Sequence, residues 1–359
     1  MVPIAALDRA CPHVTDGEIA AINLESARRR AWARFTHDPL RPGVAEALLD
    51  HERLVAGFIG DFGALDRLDA LASRFARADN SFRAELVHAA VASTVHRFDD
   101  ARAHLTRAAE LGAPPAAIER HSLSIDQACG VRLDVTLTAR RRLAAVSCQL
   151  EDLIPLASLL ADLERFDEAA ATYYHGFHDY EGTSPFPLAW VCFQLGTLWG
   201  ELVPECNPEI AAAWYGRALT YFPAYVRARV HLAEIYLRQG RADAAESILL
   251  PALWGSDPEV RWRLAEALLL KGRLEEAESH LNAARRGFDE LLRRRLLAFA
   301  DHAAEFYAGR GGDCRRALQL ARMNVANRPT RRAAKQLQVI ATQAHVTASE
   351  CYPDTAVSG

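Results

Sequence analysis

Along most of the chain, apolar residues recur three or four positions apart, the spacing that gathers them on one face of a helix. Nowhere is the two-residue alternation of a strand sustained, which disfavours an α/β enzyme fold. One phrase repeats: a small residue and a large one three positions later, a turn often followed by Arg, acidic residues, then a second small residue and a large one four positions on. Its clearest copies are Ala233, Tyr236, Gly240-Arg241, Ala245 and Leu249, and then Ala265, Leu268, Gly272-Arg273, Ala277 and Leu281. Every anchor advances by the same 32 residues. Small residues let paired helices approach closely while the large ones fill the space beside them. Gly240 and Gly272 suit the left-handed residue that ends a helix. Asp243 and Glu275 fall in the first turn of the next helix, where negative charge opposes the dipole.

Further copies have the same internal spacing. One has Ala157, Glu164-Arg165, Ala169 and Tyr173; another has Ala89, His96-Arg97, Ala101 and Leu105. Weaker ones have Ala56, Gly63, Leu68 and Ala72; Leu123, Gly130, Val135 and Ala139; and Gly309-Arg310, Cys314 and Leu318. A copy with Gly196 and Trp199 carries a longer turn, and longer connections run through 176–210. First-helix anchors then fall at 56, 89, 123, 157, 196, 233, 265 and 302. The pattern divides the chain into an N-terminal tail and helix (1–43, the helix over 17–37), repeats over 44–330, and a C-terminal capping helix (331–344) with a frayed tail to 359. A stack of repeats needs such a cap over its last apolar face.

These residues resemble the tetratricopeptide repeat family over about residues 48–328. The resemblance implies an all-α, right-handed superhelical solenoid of about eight helical hairpins with extra terminal helices. Val135 and His302 depart from it, standing where the family prefers small residues. In the family, the first helices of successive repeats line a concave groove that binds an extended peptide or a partner helix. Carried over by position, the partner-binding candidates are Trp190, Phe193 and Thr197; Arg227, Val230, Glu234 and Arg238; and Trp262, Glu266 and Leu269. Trp190 and Trp262 have an equally good reading as packing between repeats. Some members clamp a C-terminal carboxylate with Lys, Arg and Asn. Glu234 and Glu266 stand where Asn belongs, so that clamp is broken, and a ligand carrying Arg or Lys suits the site better.

Composition narrows the function. The net charge of −4, from 42 basic and 46 acidic residues, gives no global attraction to nucleic acid or anionic membrane. Only Lys271 and Lys335 are lysines, and this Arg excess reads as the bias of a GC-rich, bacterial genome. The Arg runs at 28–30, 140–142, 285–286, 293–295 and 331–332 are interspersed with acids and read as solvated helix faces. Seven Cys residues at wide spacings without CxxC suit free thiols in a reducing compartment. Neither a signal sequence nor a membrane span is indicated, so a cytoplasmic location is expected.

Catalytic signatures are weak. Gly309-Arg-Gly311-Gly312-Asp313 lacks the Lys-Ser/Thr and the preceding strand of a phosphate loop. His175 and His178, beside Asp179, share one helical face and are a minor candidate for a metal site. The expectation is therefore a non-enzymatic interaction scaffold without cofactor or metal, binding a protein or peptide in its groove, with a homodimer as one possible state. The alternatives are a peptide-sensing regulator and, as a lesser one, a metal-dependent protein centred on His175 and His178.

Overall fold

The structure is a computed structural model and describes residues 12–351. The tails expected at 1–15 and 345–359 lie largely outside the described residues, although helix continues to Cys351. The described residues are helical throughout, without strands.

Helix α1 (Gly17–His37) starts at Asp16, whose carboxylate accepts from the backbone N–H groups of Glu18 and Ile19. Eight hairpins follow. They pair α2 (Val44–Leu54) with α3 (Gly63–Ala78), α4 (Phe82–Thr94) with α5 (Phe98–Glu110), and α6 (Pro115–Ala128) with α7 (Leu133–Ser147). Next come α8 (Leu150–Asp162) with α9 (Phe166–His178), α10 (Pro185–Thr197) with α11 (Pro208–Tyr221), and α12 (Val226–Arg238) with α13 (Ala242–Leu249). Helix α14 (Pro258–Leu270) pairs with the first part of α15 (Leu274–Ala308). Backbone angles at Arg295 (φ −144°, ψ 50°) break α15, and its second part pairs with α16 (Cys314–Asn327). Helix α17 (Arg331–Cys351) packs on α16 and α15. The result is an all-α solenoid of helical hairpins.

The repeated phrase works as its chemistry suggests. Ala89, Ala101, Ala157, Ala169, Ala233, Ala245, Ala265 and Ala277 are all buried where paired helices touch. Gly240 (φ 70°), Gly272 (φ 72°) and Gly130 (φ 66°) are left-handed. The next N–H in each case donates to the carbonyl five residues back, as in Arg241 to Tyr236 at 2.8 Å. His96 (φ 58°) and Glu164 (φ 61°) adopt the same conformation without being glycine, at a strain of about 1 kcal/mol each.

Three details of the repeat differ from the sequence expectation. Helix α2 ends in a π turn (Val55–Ile59), so Gly60 (φ 70°) is the left-handed residue and Gly63 opens α3. The α6–α7 turn holds a second left-handed residue, Arg132 (φ 49°). That extra residue moves the small position to buried Thr136 and leaves Val135 exposed. In the eighth hairpin the buried small residue is Ala304; the break at Arg295 shifts the register, and His302 does not occupy that position.

The solenoid also closes on itself. The π turn carries Phe58 into the aromatic residues of α10–α12, with ring centroids 5.2 Å from Phe186, 5.8 Å from Phe222 and 4.4 Å from Tyr225. Ser256 fastens the same turn: its hydroxyl accepts from Phe62 N–H at 2.7 Å and donates to the Gly60 carbonyl at 3.0 Å. Arg295 pairs with Asp66 at 2.9 Å and Asp69 at 2.5 Å, joining α15 to α3. Beneath this contact, the fully buried Glu52 accepts from Trp32 Nε1 at 2.7 Å, Arg28 at 3.2 Å and Arg67 at 2.8 Å, locking α1, α2 and α3 together.

Phe58→Ala is expected to destabilise the protein by about 3 kcal/mol in urea unfolding, as for deletion of a buried aromatic side chain. Trp254→Ala, at a side chain 63% exposed, is expected to change stability by less than about 0.5 kcal/mol.

A charged central cavity as the candidate functional site

The closure turns a groove into a cavity of about 800 Å³. Its walls are the inner faces of α8, α10, α12, α14 and the second part of α15, with contributions from the α2 π turn and from the segment joining α16 to α17. Within the repeat, the positions that face inward lie two before, one after and five after the small first-helix anchor. The first column gives Gln194, His231, Arg263 and His302; the second gives Ser158, Thr197, Glu234 and Glu305; the third gives Asp162, Glu201 and Arg238. Helix α10, like α2, ends in a π turn (Leu198–Leu202), which brings Glu201 to the cavity. Such turns often mark functional sites.

Most of the charges are paired. Glu201 accepts from His231 at 2.8 Å and from the Tyr215 hydroxyl at 3.2 Å, and pairs with Arg332 at 2.9 Å. Burial by itself would raise the Glu201 carboxyl, but the bond and charge of His231 outweigh it and hold the group at about 2. Arg263 spans two repeats, pairing with Glu234 at 2.5 Å and Glu266 at 3.1 Å while lying 3.6 Å over the Trp262 ring. His302 pairs with Glu259. Burial would lower His302, yet the carboxylates of Glu259 and Asp301 push it up to about 10. Glu259 is held low by the same pairing, against its own burial.

Six charged side chains of the cavity lining have no ion-pair partner among the described residues: Arg53 on α2, Asp162 at the end of α8, Arg227 and Arg238 on α12, Asp257 just before α14, and Glu305 on α15. Desolvation pushes Asp162 up to about 6 and raises Glu305, whose carboxylate accepts from Gln336 at 2.7 Å. Arg227 and Arg238 lie on one side of α12, about 16 Å apart at 1.5 Å per residue.

The ten sequence candidates divide. Phe193, Thr197, Arg227, Glu234 and Arg238 line the cavity. Val230 is fully buried, Trp262 is 4% exposed and Leu269 packs against the α12–α14 core, so these three serve stacking between repeats. Val230 and Trp262 lie one position, about 100° of helix, from the inward-facing column of His231 and Arg263. Trp190 is 39% exposed but lies outside the cavity lining. Glu266, with Glu234, is engaged by Arg263, so neither carboxylate is left open for a ligand cation. Asp162, Glu201, His231, Glu259, Arg263 and His302 were not named as site residues from sequence, although the anchor columns lead to most of them.

His175 pairs with Asp179 at 2.8 Å on an exposed helix end. Among the described residues, no group of three or more His, Cys, Asp or Glu is placed to hold a metal ion. Nor is any helix of the described residues long and apolar enough to cross a membrane.

The hairpin geometry has a counterpart in sequence: residues 207–254, from α11 through α13, match the family described as tetratricopeptide repeat. Residues 207–254 thus carry a tetratricopeptide repeat, within an all-α stack of hairpins. No curated protein matches it. Among solved structures, a tetratricopeptide repeat protein from Parabacteroides merdae is similar at 15% identity, with 77% of this chain and 98% of that chain covered and a TM-score of 0.42. A human IFIT1 dimer with m7Gppp-AAAA is similar at 13% identity, covering 95% of this chain and 79% of that one, with a TM-score of 0.45. The concave face of the hairpin stack thus lines a charged cavity.

The His302–Glu259 pair sets a pH dependence. The raised His302 binds its proton more tightly in the folded state, so its stabilisation is complete below its ordinary 6.5 and is lost as pH rises towards 10. The lowered Glu259 contributes above its ordinary 4.5 and loses its contribution as pH falls. The melting-temperature gap between wild type and His302→Gln is therefore expected to be widest between pH 4.5 and 6.5, and to shrink towards pH 10.

Proposed function

We propose that this protein is a non-enzymatic, cytoplasmic interaction scaffold that holds a segment of a partner protein in its central cavity. The observation that carries this reading is the inner face itself. First helices of five consecutive hairpins present polar side chains there, and Arg227, Arg238, Asp162 and Glu305 lack an ion-pair partner among the described residues. All four are solvent-exposed within the cavity, so a ligand that supplies their complements can reach them. The remaining acids and bases hold neighbouring helices to one another, a positioning role more than a catalytic one. The self-closure favours a second reading, a peptide-sensing regulator in which occupancy of the cavity changes the closure at Phe58.

The test combines capture with cross-linking. Arg227→Glu/Arg238→Glu, with its fold checked by circular dichroism, is expected to lose a partner that wild type retains from the host lysate. A photo-cross-linker at Gln194, in the cavity, is expected to label that partner, and one at Trp254, on the outer surface, is not. Equal recovery by the two proteins, or labelling from Trp254 alone, would move the interaction to the convex face.

A further inference from the structure

The three residues that join α16 to α17, together with the first turn of α17, form a strap along one wall of the cavity. Its backbone leaves helix after Asn327 and re-enters it at Arg331. Within five residues it reaches four hairpins. Arg328 donates to the Ala128 carbonyl at 3.4 Å on α6 and pairs with Asp301 at 3.5 Å on α15. Pro329 and Thr330 lie against Gly130, where a side-chain carbon would stand 3.1 Å from the Pro329 carbonyl oxygen. Arg331 pairs with Glu164 at 2.9 Å, beside α8, and Arg332 with Glu201 at 2.9 Å on the α10 π turn.

Two features leave this contact open to exchange. Arg331 and Arg332 remain 71% and 62% exposed, so their ion pairs are of the weakly stabilising, salt-sensitive kind. Asp162 and Glu305 meanwhile face the same space with no cation paired to them, although Arg328 and Arg332 are the cations that act on Asp162 across the gap. The wall therefore holds two carboxylates that the strap leaves unpaired, alongside the unpaired Arg227 and Arg238.

We infer that the cavity recognises a segment of a partner protein that brings arginine to Asp162 and Glu305 and carboxylates to Arg227 and Arg238, and that the chain's own Arg328 and Arg332 occupy part of this place until such a segment displaces them. This inference rests on the reading of the cavity as the interaction site and names its ligand class. The strap acts as a tethered competitor. Its high effective concentration excludes weak ligands and admits one that also engages Asp162 and Glu305.

The experiment uses the full chain and a fluorescent peptide copying residues 325–335, followed by anisotropy at low salt. Arg331→Ala/Arg332→Ala is expected to bind the peptide at least about ten-fold more tightly than wild type. A peptide with its three arginines replaced by Gln is expected not to bind, and adding Asp162→Asn/Glu201→Gln to the strap variant is expected to weaken binding about ten-fold. Hydrogen exchange on wild type gives a second readout should the strap variant fold poorly: saturating peptide is expected to raise exchange at residues 328–336. Equal binding of the Gln peptide, no gain in the strap variant, or unchanged exchange at saturation would overturn the inference. Partner cross-links from Gln194 without peptide binding would overturn the arginine class alone and leave the scaffold reading standing. Absence of both would remove the cavity as the site.

Discussion

Insertion of the α2 π turn into the aromatic residues of α10–α12 is the contact on which the rest of the architecture depends. A regular α-helical end would not aim Phe58 at Phe186, Phe222 and Tyr225; the wider turn does, and Gly60 then reverses the chain with Val226 against its missing side chain. The aromatic pairs contribute both buried area and edge-to-face geometry. Once the turn is seated, Ser256 caps it, Phe62 reaches Phe299, and α3 comes within reach of Arg294 and Arg295.

Closure changes the electrostatics of the inner face. An open concave surface keeps its charges in water, where pairs such as His302–Glu259 count for little. Within an enclosed wall, desolvation raises carboxylates and lowers histidines unless a partner compensates. The inner face contains both outcomes. Glu201 and Glu259 have histidine partners and stay ionised; Asp162 and Glu305 lack a cation and are raised. The same wall therefore contains positions committed to structure and positions with unspent binding capacity, and the difference is set by which side chain the neighbouring repeat supplies.

The stacking was legible in sequence because it depends on local, repeated chemistry: an alanine at each helix crossing and a left-handed residue at each turn. His96 and Glu164 could be aligned with Gly240 and Gly272 by spacing alone, since the following Arg makes the same backbone bond in each case. The inner face was only partly legible. Choosing it requires knowing each helix's rotation to within one residue, and Val230 and Trp262 fell one column short. The π turns, the second left-handed residue at Arg132 and the break at Arg295 each shift register without a distinctive residue to announce them. Closure was not legible at all, because Phe58 and Tyr225, or Gly60 and Ser256, are linked by no periodicity.

In an open solenoid each repeat touches only its neighbours, so stability is close to a sum of local terms and the ends are independent. Here hydrogen bonds span 194 residues from Phe62 to Ser256, 201 from His96 to Leu297 and 231 from His96 to Asn327. His96 lies in the left-handed turn of the second hairpin, and its ring and carbonyl both meet the eighth. The N-terminal and C-terminal hairpins thus bear on each other directly as well as through the stack. A ligand that displaced Arg328 from Asp301 would disturb the hairpin that His96 holds, and through it the seat of the first hairpins. The closed geometry gives the cavity a physical route to the ends of the molecule that a chain of nearest neighbours lacks.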